Sequence, residues 1–146
     1  MKIGGMTQIR LSEDQIQTQI VQALEVVGCK VYHTNTHGVR GKTGVSKGVP
    51  DLLVRHKCFP VAVLVGLEVK RPKGWRWSSQ EQKEAFSRGD TEVVHCVRDA
   101  LLAVGSFVDQ WMPDDPDFRT FVDRTTAMAY QFPEVDSDPV AKGVGR

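Results

Sequence analysis

Apolar residues recur in two different rhythms along the 146-residue chain. Ile16, Ile20, Val21, Leu24 and Val27 follow helical spacing, behind Ser12 as an N-cap and with Glu13 and Asp14 in the first turn. Gly28 stops the run, which predicts a helix over about residues 13–27. Lys30–Thr34 reads as a strand, and two Val- and Leu-rich runs, Gly48–Arg55 and Val61–Lys70, read as two more. Ser78 or Ser79 caps a second helix that reaches about Arg88 and stops at Gly89. Thr91–Val97 predicts a strand, and Arg98–Trp111 a helix with Leu101, Leu102, Val104 and Val108 as its apolar positions. Pro113–Asp117 breaks the chain, residues 117–131 predict a short helix, and a loose tail is expected from Pro133 onward. The order α-β-β-β-α-β-α predicts an α/β fold, a small mixed sheet with helices on both faces.

The two central runs carry the chemistry. Folded back about Phe59 and Pro60, they place residue i opposite residue 119 − i, and so Asp51 opposite Glu68. Residues facing each other across an antiparallel pair have Cβ atoms about 4.5–5.5 Å apart, and like charges there destabilise the sheet. A divalent cation held by both carboxylates would offset that repulsion. Side chains alternate along a strand, so Lys70 projects to the face of Glu68. The plain alternative is a turn aspartate and two solvated charges, but Glu68 interrupts a long apolar run. Glu13 has two readings: first-turn compensation of the helix dipole, worth about 0.3–1 kcal/mol, or a third carboxylate near the same ion.

Charge sharpens this picture. The net charge is only +1, yet residues 30–83 hold eleven Lys and Arg against three acids, a net +8, while residues 113–146 hold four against seven, a net −3. A basic middle around an acidic pair suits a polyanionic substrate bound at a metal. The loop from Asn35 to Gly48, rich in glycine and carrying Arg40, Lys42 and Lys47, suits close approach to a phosphate backbone. In Arg71–Trp77 the basic residues Arg71, Lys73 and Arg76 alternate with Trp75 and Trp77. The tryptophans either stack on bases or sugars, or pack under the loop or against another subunit. Trp111, Phe118, Phe121, Tyr130 and Phe132 either cover one edge of the monomer or form a subunit contact.

Other chemistries are disfavoured. Cys29, Cys58 and Cys96 are odd in number and lack a CxxC spacing, which reads as reduced thiols of a cytoplasmic protein. His33 and His37 fall on a strand end and a loop without partner ligands, which argues against zinc. No apolar run is long enough to span a membrane, and no apolar signal core stands at the N-terminus.

These residues resemble the PD-(D/E)xK nuclease superfamily, whose motif stands here as Pro50-Asp51 followed by Glu68-Val69-Lys70. More narrowly, the chain is similar to the VRR-NUC domain of small phage proteins and larger repair nucleases. Glu13, Ile16, Gln17, Ile20, Leu24 and Gly28 fit its first-helix pattern, Asn35 and Gly38 an N-x-x-G, Gly48-x-Pro50-Asp51 and Glu68-x-Lys70 its hairpin, and Ser79-x-x-Gln82 the next helix. The resemblance runs from about Glu13 to Leu102 and implies a restriction-endonuclease-like αβββαβ core. It divides the chain into an arm (1–12), a nuclease core (13–112) and a C-terminal extension (113–146). It implies Asp51, Glu68 and the Val69 carbonyl as ligands of Mg2+ or Mn2+, with Glu13 as an auxiliary carboxylate. Lys70 would orient or help deprotonate the attacking water, and Gln82 would hold the centre, with Gln80 the alternative on spacing. Asn35, Arg40, Lys42, Lys47, Lys73 and Arg76 are the expected DNA contacts. Small stand-alone members are thought to cut four-way junctions as dimers, which implies a homodimeric endonuclease acting on branched DNA such as Holliday junctions, in the cytoplasm of a bacterial or phage-infected cell. The other readings are a catalytically silent DNA-binding module, or a nuclease acting on flap, linear or RNA substrates.

Overall fold

The computed structural model describes residues 10–34, 48–111 and 114–140, without the side chain of Trp111. Asn35, His37, Gly38, Arg40, Lys42 and Lys47 therefore lie outside the described residues, as does most of the expected arm.

Helix α1 spans Glu13–Val26. Ser12 and Gln15 form a reciprocal capping box: the Ser12 hydroxyl accepts from the Gln15 N–H, and the Gln15 carboxamide accepts from the Ser12 N–H. Ile16, Ile20, Ala23 and Leu24 are its buried stripe. Strand β1 is Lys30–His33, β2 Leu52–Arg55 and β3 Val65–Val69. Helix α2 runs Gln80–Arg88, strand β4 is Glu92–Val94, α3 is Val97–Trp111 and α4 is Pro116–Ala129. The four strands make one mixed sheet in the order β1-β2-β3-β4, antiparallel except for the β3–β4 pair.

The central register agrees with the sequence arithmetic, since Leu52 pairs with Leu67, Leu53 with Gly66 and Val54 with Val65. The strands themselves are shorter than expected. Val61–Leu64 is not strand but part of the connection from β2 to β3. Ala62 takes the left-handed φ of 66° there, a conformation that interrupts an extended chain. The Arg55 guanidinium donates to the carbonyls of Pro60 and Val63, satisfying them in place of a ladder. Phe59 is buried against the rings of Phe107 and Phe121, which draws the connection down onto the core. Strand β4 likewise stops early, because the His95 N–H turns to the Asp99 carboxylate (2.9 Å) at the start of α3.

Val65, Leu67 and Val69 of β3 join one core with Ile20 and Leu24 of α1 and Leu101 and Val104 of α3. Helix α4 packs on α3 through Phe121, Val122 and Ala129, and Phe118 and Phe132 pack against the same core. These aromatic residues thus cover the monomer. Tyr130 remains exposed, with the Arg98 guanidinium 4.5 Å from its ring centre. The expected loose tail also differs, because residues 133–139 lack helix or strand yet Asp138 hydrogen-bonds to Pro72, Gly74 and Trp75. No helix among the described residues is long and apolar enough to cross a membrane.

Candidate active site

Strand periodicity sends Gly66, Glu68 and Lys70 to the face of β3 away from the core. Both charged side chains are nevertheless buried, Glu68 with 2% and Lys70 with 3% of its surface exposed. Asp51 sits one residue before β2, at the position that the register places opposite Glu68. Its backbone is pinned from β1, because the Thr34 N–H donates to the Asp51 carbonyl (3.1 Å) and the Thr34 hydroxyl donates to the carbonyls of Pro50 and Asp51. Its carboxylate accepts the Val69 N–H through Oδ2 at 2.9 Å.

Two glycines make room for this corner. A Cβ on Gly66 would lie 2.7 Å from both the Pro50 ring and the Asp90 carbonyl. Gly48 has a φ of 90°, and a Cβ there would meet the Glu81 main chain at 2.8 Å. Close packing of Pro50 on β3, and of Gly48 on α2, therefore fixes where Asp51 points.

Gln82 of α2 completes the polar face. Its Nε2 donates to Glu68 Oε2 at 2.8 Å, while its Oε1 accepts the Ser78 N–H at 2.8 Å. Gln80 instead reaches Glu84 on the exposed side of the helix. Lys70 Nζ lies 3.8 Å from Glu68 Oε2 and donates to Ser78 Oγ at 3.3 Å. The Lys70 backbone is held at both ends: its N–H donates to the Val94 carbonyl and its carbonyl accepts from His95 Nδ1, each at 3.0 Å. Glu68 Oε1 is buried and has no hydrogen-bond partner. Burial above all, and then the adjacent Asp51 carboxylate, push the Glu68 carboxyl well above its ordinary range; Lys70 pulls the other way and Glu13 adds slightly to the rise.

Asp51, Glu68, Lys70 and Gln82 thus come together. Glu13 is exposed at the start of α1 and touches the group only through its weak field at Glu68. Among the described residues, no three His, Cys, Asp or Glu side chains form a metal site by themselves. An ion here would rest on the two carboxylates of Asp51 and Glu68 and fill its shell with other oxygens, the habit of magnesium. The unpartnered Glu68 Oε1 fits such an ion, since no donor reaches it and a cation beside Asp51 would take the place of the proton that the crowded carboxyl otherwise holds.

Trp75 and Trp77 pack edge to face, with the buried Trp75 also near His95 and the half-buried Trp77 near Phe86. The thiols offer no nucleophile. Burial pushes Cys29 up to about 12 and also raises Cys58 and Cys96. Sequence reasoning missed Thr34, Ser78 and His95. The Ser78-Ser79 pair was ambiguous as a cap; Ser79 caps α2, accepting the Gln82 N–H, while Ser78 is left to hold Lys70 and Gln82.

No family model matches the chain, and no curated protein or solved structure matches it either.

Proposed function

We propose that the protein is a metal-dependent nuclease of the PD-(D/E)xK type, close to the VRR-NUC domain, that hydrolyses phosphodiester bonds in DNA. One observation carries the reading: two carboxylates meet beside a buried lysine, and one buried carboxylate oxygen has no partner. The order αβββαβ, continued by α3 and α4, supports a restriction-endonuclease-like core. Asp51 and Glu68 would hold Mg2+ or Mn2+. When bound, the ion supplies Lewis acidity, polarising the scissile phosphate and neutralising charge that develops on it. Gln82 fixes Glu68 Oε2, which leaves Oε1 for the ion. Lys70 orients the attacking water from beside Glu68, and Ser78 sets the direction of its ammonium. Branched DNA is the proposed substrate, cut by a homodimer whose two sites share the two-fold symmetry of a four-way junction.

The test is incubation of the purified protein with labelled duplex, flap, single-stranded and four-way DNA and with RNA, each with and without magnesium or manganese, alongside sedimentation. Metal-dependent cleavage that favours the four-way junction, by a dimer, is expected. A monomer that cuts linear and branched DNA equally discards the dimer and junction parts. Binding without any cleavage in either metal leaves a silent DNA-binding module.

A further inference from the structure

The basic turn after β3 is covered by the chain's own C-terminal segment. Residues 133–140 leave α4 and close over Pro72–Trp75. The Asp138 N–H donates to the Pro72 carbonyl at 2.8 Å, and the Trp75 indole N–H donates to the Asp138 carbonyl at 3.4 Å. The Gly74 N–H donates to Asp138 Oδ2 at 2.7 Å. Lys73 Nζ lies 3.2 Å from Asp136 Oδ2 and 3.8 Å from Asp138 Oδ1. One ammonium and one main-chain N–H thus converge on two carboxylates. A lysine cation and a free backbone N–H are also the donors that proteins present to phosphate oxygens. The turn begins directly beyond Lys70, so this anion site adjoins the candidate active site.

We propose that the C-terminal segment is an internal phosphate mimic: Asp136 and Asp138 occupy an anion site, built from Lys73 and the Gly74 N–H, that receives a backbone phosphate of nucleic acid when the segment is displaced. The proposal rests on the nuclease reading and names a further contact for its substrate. The Lys73–Asp136 pair suits exchange, because the Asp136 side chain is 93% and that of Lys73 53% exposed, and ion pairs so open to water hold weakly. Asp138 is more enclosed and gives the segment its register through main-chain bonds. In the free protein Lys73 is already neutralised, so nucleic acid must displace an internal anion before it gains this contact, and its apparent affinity falls accordingly. The net −3 of residues 113–146 thereby acts locally against the net +8 of residues 30–83.

The test uses the full chain and a labelled DNA duplex, without divalent metal so that nothing is cut. Asp136→Asn/Asp138→Asn is compared with a charge-matched control, Asp114→Asn/Glu134→Gln, which changes two exposed acids without a contact to Lys73 or Gly74 in the structure. Binding by the first variant should be about three- to tenfold tighter than by the control, with log K against log salt steeper by about one, the mark of one added phosphate contact. Asp136→Asn alone keeps the main-chain bonds of Asp138 and should move the same way by less. Lys73→Gln should cost little in the wild type and more in the double-asparagine background. Equal affinity and slope in the variant and its control, or equal Lys73→Gln costs in both backgrounds, overturn the proposal. If the wild type still cleaves DNA with magnesium, only the role of the segment falls. Absence of both cleavage and salt-dependent binding discards the nuclease reading as well.

Discussion

The two faces of β3 are hidden from water to the same degree and are otherwise opposites. Leu67 and Val69, at 0% and 1% exposed, sit among the side chains of α1 and α3, where burial alone stabilises them. Glu68 and Lys70, on the other face, are buried as ionisable groups, and Glu68 Oε1 has no partner. A buried unsatisfied acceptor costs about 1–3 kcal/mol, more if it is charged. Apolar residues of similar volume in place of a buried ion pair are often neutral or stabilising. The polar face is thus not there for stability. The odd-numbered residues of this stretch anchor the fold, while Glu68 and Lys70 hold ionisable groups on its other face.

The sharpest way to break the symmetry of burial is to remove a group from each face. Asp51→Ala or Lys70→Ala should lower cleavage by two to three orders of magnitude, about 3–4 kcal/mol of transition-state stabilisation, while circular dichroism shows a folded protein. Near-normal turnover by Asp51→Ala with metal present would remove the carboxylate pair from the mechanism. On the other face, Leu67→Ala should lower stability by about 3 kcal/mol, within the range for large-to-small core changes. Its turnover, measured well below the melting transition, should stay near that of the wild type. A stable Leu67→Ala protein with impaired catalysis would mean that the two faces are not separable.

Proton binding sharpens the comparison further. The folded-state pKa of Glu68 lies above its unfolded value, so the folded state holds a proton that the unfolded chain has released. Its favourable contribution is therefore complete at pH below the unfolded value of 4.5 and is lost progressively as pH rises toward the folded one. In metal-free protein, Glu68→Gln should raise the melting temperature, with a gain that grows from about pH 5 to about pH 8, following this linkage. Magnesium should stabilise the wild type and not the variant. A gain that is flat with pH in chelator-treated protein would show that the carboxyl of Glu68 is not the source.

How much of this was legible in the sequence follows from range. Local signals served well: Ser12 and Gly28 bracket α1 closely, and Ser79 and Gly89 bracket α2. The hairpin register was legible because the two apolar runs flank one turn, so a single symmetric folding sets every pair. The true start of β3 was not, since Val61–Leu64 has strand composition and only the bonds from Arg55 and the turn at Ala62 take it out of the sheet. Meeting points of distant segments left no periodic trace. His95 reaches the Lys70 carbonyl across 25 residues, and Gly74 reaches Asp138 across 64. An acidic, proline-bearing segment looks unstructured when its partner lies that far away in the chain. Gln82 was legible only as a spacing after Ser79; its bond to Glu68 distinguishes it from Gln80.

The smallest effect concerns Glu13. It stands exposed in the first turn of α1, where a carboxylate favours the helix dipole by about 0.3–1 kcal/mol. The helix does not depend on it for capping, because Ser12 and Gln15 satisfy each other. Its charge also reaches Glu68, where it is the least of the influences that raise the carboxyl pKa. Glu13→Gln keeps the size of the side chain and removes only the charge. If Glu13 helps to hold the ion through intervening water, the substitution should weaken metal binding or turnover by a few fold, roughly 1 kcal/mol or less, with the melting temperature almost unchanged. Titration of magnesium against activity, with a thermal melt of the same preparations, separates the two roles. A lower melting temperature with unaltered metal dependence would leave Glu13 as a dipole residue and confine the site to Asp51, Glu68, Lys70 and Gln82.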